Sequence, residues 1–260
     1  TTLTVRENGE NTVAVQMNRP LAVILPDGIA GLPALNAEGN YTGTYTQRTG
    51  GYFAGASVAQ DGMFVLEMTA TEESFTRTDH GWQIAGFVIG TGTDRYARIC
   101  LIHVVTVEPY YSVFVLKGDG TEQYGSTVSN VFVNGAVKLS LVYNGGKIYF
   151  FANDTFVQEI TGLTFDEGNL QFGLYFDQDV AASDWGYSTK REDAEDMIGA
   201  TLSLASGITA TVNGQPYTDG NKVLLGDEIE LSMSVAAGQK GTFLLGETSL
   251  ATYIETDKAT

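Results

Sequence analysis

Residues 137–160 constrain this chain more than any other stretch. They read Val-Lys-Leu-Ser-Leu-Val-Tyr, then Asn144-Gly145-Gly146, then Lys-Ile-Tyr-Phe-Phe-Ala-Asn, then Asp154, then Thr-Phe-Val-Gln-Glu-Ile. Val137, Leu139, Leu141 and Tyr143 alternate with a mixed set, which is the period of a strand with one apolar face. Asn-Gly is a hairpin signal, because both central residues of a type I′ turn need positive φ. The stretch is therefore expected to fold as three antiparallel strands with one buried side.

The same texture continues along the chain. Strands are expected near Thr12–Met17, Leu21–Leu25, Tyr41–Thr46, Met63–Ala70, Gln83–Ile89, Tyr96–Val105 and Ser112–Leu116. Others are expected near Val131–Val133, Val137–Tyr143, Lys147–Ala152, Thr155–Ile160, Leu170–Phe176 and Ala181–Ser188. Asp27-Gly28, Asp61-Gly62, Gly118-Asp119-Gly120, Asn134-Gly135 and Glu167-Gly168-Asn169 punctuate them as turns. Many short strands between regular turns predict a sandwich or barrel. One helix is expected: Thr189-Lys190-Arg191-Glu192 has capping-box spacing, and an acidic run follows to Gly199. It reads as a solvated surface turn between two domains.

Composition narrows the function classes. The net charge is −17, from 14 basic and 31 acidic residues. Such a surface repels phosphate backbones and anionic membranes, so neither is an expected partner. The sole cysteine, Cys100, rules out an intrachain disulfide and reads as a buried strand thiol. No apolar run approaches the roughly 20 residues of a membrane-spanning helix. The opening Thr1-Thr2-Leu3 reads as the start of a piece of a larger protein, with any leader or wall anchor outside it.

Two resemblances add to this reading. The run 137–160 resembles the late hairpin of a concanavalin A-like jelly roll. Phe64–Ala70, Gly86–Gly90, Arg98–Val104, Val113–Leu116 and Leu170–Phe176 resemble its other strands in order. The family, which includes lectins, laminin-G domains, carbohydrate-binding modules and β-glucanases, implies two facing antiparallel sheets and settles no activity. After Gly199 aromatic residues thin out. Val212-Asn-Gly, Val223-Leu-Leu-Gly-Asp and Ile229-Glu-Leu, followed by Ala236-Ala-Gly, resemble the immunoglobulin-like modules of bacterial surface proteins. The expected fold is all-β: a concanavalin A-like jelly-roll sandwich over residues 1–199, then a small Ig-like β module, whole or partial, over residues 200–260.

Catalytic chemistry is not expected. Glucanases of the resembling fold carry a strand motif whose alternating carboxylates share one face. Here Glu72-Glu73 are adjacent, and Glu192, Asp193, Glu195 and Asp196 sit in the expected helix. Asp177 and Asp179 flank a loop. His80 and His103 lack metal-ligand spacing, and no nucleophile elbow or phosphate loop occurs.

A sugar-binding surface needs flat apolar faces beside polar groups. The selected ligand-binding residues are Asp79, His80 and Trp82, then Arg95 and Tyr96, then Tyr110 and Tyr111. Trp82 and Tyr111 rank first because they lie next to turns. Tyr41–Tyr45, Tyr52-Phe53 and Asp184-Trp185-Gly186-Tyr187 form further clusters. Each also reads as core, since strand aromatics usually face inward. The resembling fold often carries a structural calcium, for which Asp177, Asp179 and Asp184 are the selected donors.

The expected function is a non-catalytic carbohydrate-binding or adhesin module, secreted or displayed on a bacterial surface. The expected partner is a glycan, neutral rather than anionic, on a host or cell-wall surface. Arg95 and Arg98 are a local exception to the acidic surface. A structural or protein-binding segment, or a glycoside hydrolase with an unfamiliar site, are the other classes.

Overall fold

A computed structural model of the chain describes residues 43–45, 49–71, 82–91, 96–104, 110–129, 131–176, 180–204, 206–233, 240–245 and 248–254. The expected strands Thr12–Met17 and Leu21–Leu25 lie outside them. By its contacts the chain divides into two units, with the change-over between Ile198 and Gly199.

The larger unit is an antiparallel two-sheet sandwich. Its strands are β1 (Gly43–Tyr45), β2 (Thr49–Val58), β3 (Met63–Thr71), β4 (Trp82–Gly90), β5 (Tyr96–Val104), β6 (Tyr110–Lys117), β7 (Glu122–Val128), β8 (Ala136–Asn144), β9 (Lys147–Ala152), β10 (Thr155–Ile160), β11 (Leu170–Phe176) and β12 (Val180–Ser188). The first sheet runs β1-β12-β3-β8-β9-β10 and the second β2-β11-β4-β5-β6-β7. Early and late strands interleave in both sheets, so the described part is an all-β jelly-roll sandwich, as expected.

Phe64, Leu66, Leu139, Leu141, Ile148 and Phe150 from the first sheet meet Phe87, Ile99, Leu101, Val115, Phe172 and Leu174 from the second in one buried core. Phe64 stacks on Phe172 with ring centroids 4.1 Å apart. Two-residue turns set the hairpin registers. Asn153 and Asp154 have φ of 51° and 59°, and Asn134 and Gly135 have 52° and 78°, the paired positive values of type I′. At the third turn the central pair is Gly145-Gly146, while Asn144 ends β8 opposite Lys147. The expected Asn-Gly centre is thus shifted by one residue.

The expectation of one buried side is too simple. Val137, Leu139, Leu141 and Tyr143 do face the core. On the opposite face Val65, Ser140 and Val142 are also fully buried. The helix α1 (Arg191–Ile198) touches β3 and β8 and buries Ala194 and Ile198. Its start differs from the expected box. The Ser188 hydroxyl, not that of Thr189, accepts the Lys190 N–H at 3.2 Å and donates to Asp193 at 2.6 Å. The segment is therefore a docked helix rather than a solvated turn. Among the described residues no helix is long and apolar enough to cross a membrane.

β2 and β7 were not expected from the sequence. β2 contains Gly50, Gly51 and Gly55, which dilute its strand pattern. β7 is an edge strand that is exposed along most of its length, so it carries no buried alternation.

The second unit holds β13 (Gly199–Thr201), β14 (Ile208–Val212), β15 (Gln215–Pro216), β16 (Lys222–Leu224), β17 (Ile229–Met233), β18 (Lys240–Leu245) and β19 (Thr248–Ile254). They pair as β13-β16, β15-β14-β17 and β18-β19. Asn213-Gly214 makes another positive-φ turn. Its Asn213 side chain donates to Asp227 at 2.8 Å and accepts the Glu228 N–H at 3.0 Å.

Candidate functional site

The sandwich has an open edge where β10 ends the first sheet and β7 ends the second. The β9–β10 hairpin builds one wall. Its Asn153 carboxamide accepts the Lys138 N–H at 3.0 Å and donates to the Val131 carbonyl at 2.7 Å. This ties the stretch before Asn134-Gly135 to the hairpin. Val133 and Ala136 then exchange backbone hydrogen bonds of 2.8 and 3.2 Å around that turn, leaving Val133 55% exposed.

β7 builds the other wall. Its register slips against β6, and the Ser112 hydroxyl sits in the slip, donating to the Gly125 and Ser126 carbonyls at 2.9 and 3.2 Å. β10 has its own bulge between Phe156 and Gln158. Phe156 pairs with outward-facing Phe151, whereas Gln158 pairs with core-facing Phe150. The bulge therefore turns Gln158 inward, where its carboxamide oxygen accepts the Ser126 N–H across the edge at 2.6 Å. A Cβ at position 125 would run into that carboxamide, so the approach requires Gly125.

Beside this clip lies a groove of about 550 Å³. Thr127, Val128, Ser129, Val133, Asn153 and Phe156 are among its lining residues, and none of the described lining is charged. Phe156 is 43% exposed. An open aromatic ring among hydroxyl and amide groups offers stacking to an apolar ring face and hydrogen bonds to its rim.

Phe156 also borders a polar patch on the outer face of the first sheet. In register, Phe156, Phe151, Ser140 and Glu67 lie side by side. Lys138 Nζ is 2.9 Å from both Glu67 and Asp154. The Ser140 hydroxyl donates to Glu67 at 3.2 Å. Burial alone would lower the Lys138 pKa, but the bonds to Glu67 and then Asp154 outweigh it and hold the amine above its ordinary range. Lys138 therefore stays charged and is no proton acceptor near neutral pH.

The sequence-selected residues are scattered. Asp79, His80 and Arg95 lie outside the described residues, as do Asp177 and Asp179. Trp82 opens β4 with its backbone opposite His103; its side chain lies outside the described part. Tyr96 is buried, in one cluster with Tyr52 and Val88. Tyr110 is 39% exposed. Tyr111 is half-buried, stacked on His103 with ring centroids 4.8 Å apart. His103 is thus a packed residue, and burial lowers its pKa. Cys100 is buried, as expected.

Trp185, from the last aromatic cluster, is a core residue, 1% exposed and 6.0 Å from the Phe53 ring. Asp184 precedes it in a β12 bulge at φ 50°, exposed, accepting the Ser183 hydroxyl at 3.1 Å. Among the described residues no three His, Cys, Asp or Glu side chains come together as a metal group.

Sequence reasoning passed over Phe156, Val133, Thr127 and Ser129. The available signal was the Asn134-Gly135 turn beside the Asn153-Asp154 turn. Nothing local shows that the two turns flank one groove.

Fold and site define the class as a jelly-roll sandwich with a neutral, aromatic-rimmed edge groove. No protein-family model matches the chain, and no curated protein does. Among solved structures, the chain is similar to carbohydrate-binding module CBM66 from Bacillus subtilis, at 18% identity over 62% of this chain and 89% of that one, with a TM-score of 0.39. It is similar to the botulinum neurotoxin serotype D binding domain at 9% identity, covering 65% of this chain and 44% of that one, TM-score 0.42. A functionally unknown protein from Saccharomyces cerevisiae aligns at 9% identity over 58% and 87%, TM-score 0.38.

Proposed function

We propose that the sandwich is a non-catalytic carbohydrate-binding module of a secreted or surface-displayed bacterial protein, with residues 200–260 as an Ig-like spacer. The observation that carries this reading is the exposed Phe156 ring at the rim of a groove lined by neutral hydrogen-bonding groups. A pyranose has that complement: a C–H face for the ring and hydroxyls for Thr127, Ser129 and Asn153. An uncharged lining on a chain of charge −17 favours a neutral glycan. The acidic surface fits a soluble extracellular module. A structural calcium has one described donor, the exposed Asp184, which by itself makes no site.

The test is a glycan array with the whole chain, then calorimetry on hits with Phe156→Ala and Trp82→Ala. Loss of binding in Phe156→Ala supports the groove. Binding that survives there and vanishes in Trp82→Ala moves the site to the β4 end. No glycan hit defeats the reading.

A further inference from the structure

Asn-Gly pairs stand at 8–9, 134–135, 144–145 and 213–214. Asn8 lies outside the described residues. An asparagine before glycine is chemically labile, because glycine has no side chain to shield its backbone nitrogen from the neighbouring carboxamide carbon. Bulky Val133, Tyr143 and Val212 precede the three described pairs, so the local sequence gives no reason for one to react before another.

The fold treats the three differently. The Asn213 carboxamide is pinned at both ends, donating to Asp227 at 2.8 Å and accepting the Glu228 N–H at 3.0 Å. Asn144 is half-buried and pairs with Met63 on one side and Lys147 on the other. The attacking nitrogen there is also engaged, since the Gly145 N–H donates to the Gly62 carbonyl at 3.0 Å. Asn134 has neither restraint. It is exposed, and no described residue bonds its carboxamide or the Gly135 N–H. A Cβ at position 135 would meet nothing within 4 Å, so the turn has open space around it. The turn is held by one isolated bridge, Val133 to Ala136.

We propose that Asn134 is a modification site: of the described Asn-Gly pairs, it is the one at which the folded chain deamidates first. The Gly135 nitrogen bonds to the Asn134 side-chain carbonyl carbon. Its proton passes through water to the amide nitrogen, the old carbon–nitrogen bond breaks, and ammonia leaves a five-membered imide. Water then opens either imide carbonyl. Opening at the side-chain carbonyl gives aspartate; opening at the backbone carbonyl gives isoaspartate, whose chain runs through Cβ and Cγ. The sum is one water consumed and one ammonia released. Either product puts a carboxylate beside Val133, which lines the uncharged groove, and isoaspartate also lengthens the turn by a backbone atom. The assignment rests on the turn and not on what the groove binds.

The test incubates the whole chain at mildly alkaline pH, native and in guanidinium, and follows each Asn-Gly peptide by mass spectrometry after rapid digestion. In the native chain the Asn134 peptide should gain the deamidated mass about three- to tenfold faster than the Asn144 and Asn213 peptides, the factor that one retained hydrogen bond imposes on a step that must break it. In guanidinium the three rates should converge, because only the fold separates them. Isoaspartate should accompany aspartate at position 134, as an imide requires. The proposal fails if Asn144 or Asn213 reacts as fast in the native chain, if the lead of Asn134 persists in guanidinium, or if aspartate alone appears.

Discussion

Gln158 on β10 accepts the Ser126 N–H of β7 at 2.6 Å, which joins the edges of the two sheets beside the candidate groove. Both residues belong to bulges, and Gly125 leaves the room for the contact. Removing one such hydrogen bond costs about 0.5–1.5 kcal/mol. Gln158→Ala is expected to destabilise the sandwich by about that amount in urea titration. Gly125→Ala should cost no more than that alone, because the flexible end of Gln158 can swing away, and much less in the Gln158→Ala background, because both remove one contact. Strict additivity would show that the clip is not what Gly125 serves.

Trp185 supplies a core test. Its ring is 1% exposed and lies against Phe53. Trp185→Ala should cost about 3–5 kcal/mol, as for other large-to-small aromatic truncations. Chemical denaturation measures it. A cost under about 1 kcal/mol would place the indole outside the core.

Stability should fall in alkali. Burial, then the Tyr96 phenol, raises the Tyr52 pKa, and burial is the chief cause that raises Tyr143. Lys138 is raised by Glu67 and Asp154 against its own burial. In the unfolded chain these groups titrate near about 10 to 10.4. Above that range the unfolded chain binds fewer protons than the folded one, so unfolding becomes easier as pH rises. Their contribution is complete below the unfolded values and is lost as pH climbs through the folded ones. Urea midpoints between pH 8 and 11 should drop, with a shallower slope in Tyr52→Phe and Lys138→Met. Slopes identical to the native chain in both variants would refute the assignment.

For the groove, Phe156→Ala should weaken a bound glycan by roughly 1–3 kcal/mol, the range for a buried aromatic anchor. Phe156 is 43% exposed and does not belong to the main core, so the fold should survive the change. Calorimetry gives the affinity and circular dichroism the fold. An unchanged affinity in the folded variant removes the ring from the site.

Local chemistry made much of the sandwich legible in the sequence. Alternation marked Val137–Tyr143 as core-facing, and the runs at Lys147–Ala152, Thr155–Ile160 and Leu170–Phe176 coincide with β9, β10 and β11. Asn134-Gly135 and Asn153-Asp154 could be read as turns because positive φ is a property of two adjacent residues. Facing direction could not be read wherever a bulge intervenes. Phe156, Gln158 and Ile160 share a parity and should share a face, yet Phe156 points outward and Ile160 into the core. The Asp184 bulge likewise accompanies Trp185's inward turn. β7 carries no buried pattern because its partner on one side is solvent.

The edge groove and the Arg98–Tyr175 contact belong to tertiary structure alone. Gln158 and Ser126 are 32 residues apart in sequence, and Arg98 meets Tyr175 across β4. Strand period and turn type depend on neighbours along the chain, which the sequence contains. Which edges adjoin, and which distant side chains meet, depend on how distant strands order themselves within two sheets, and only the folded chain decides that.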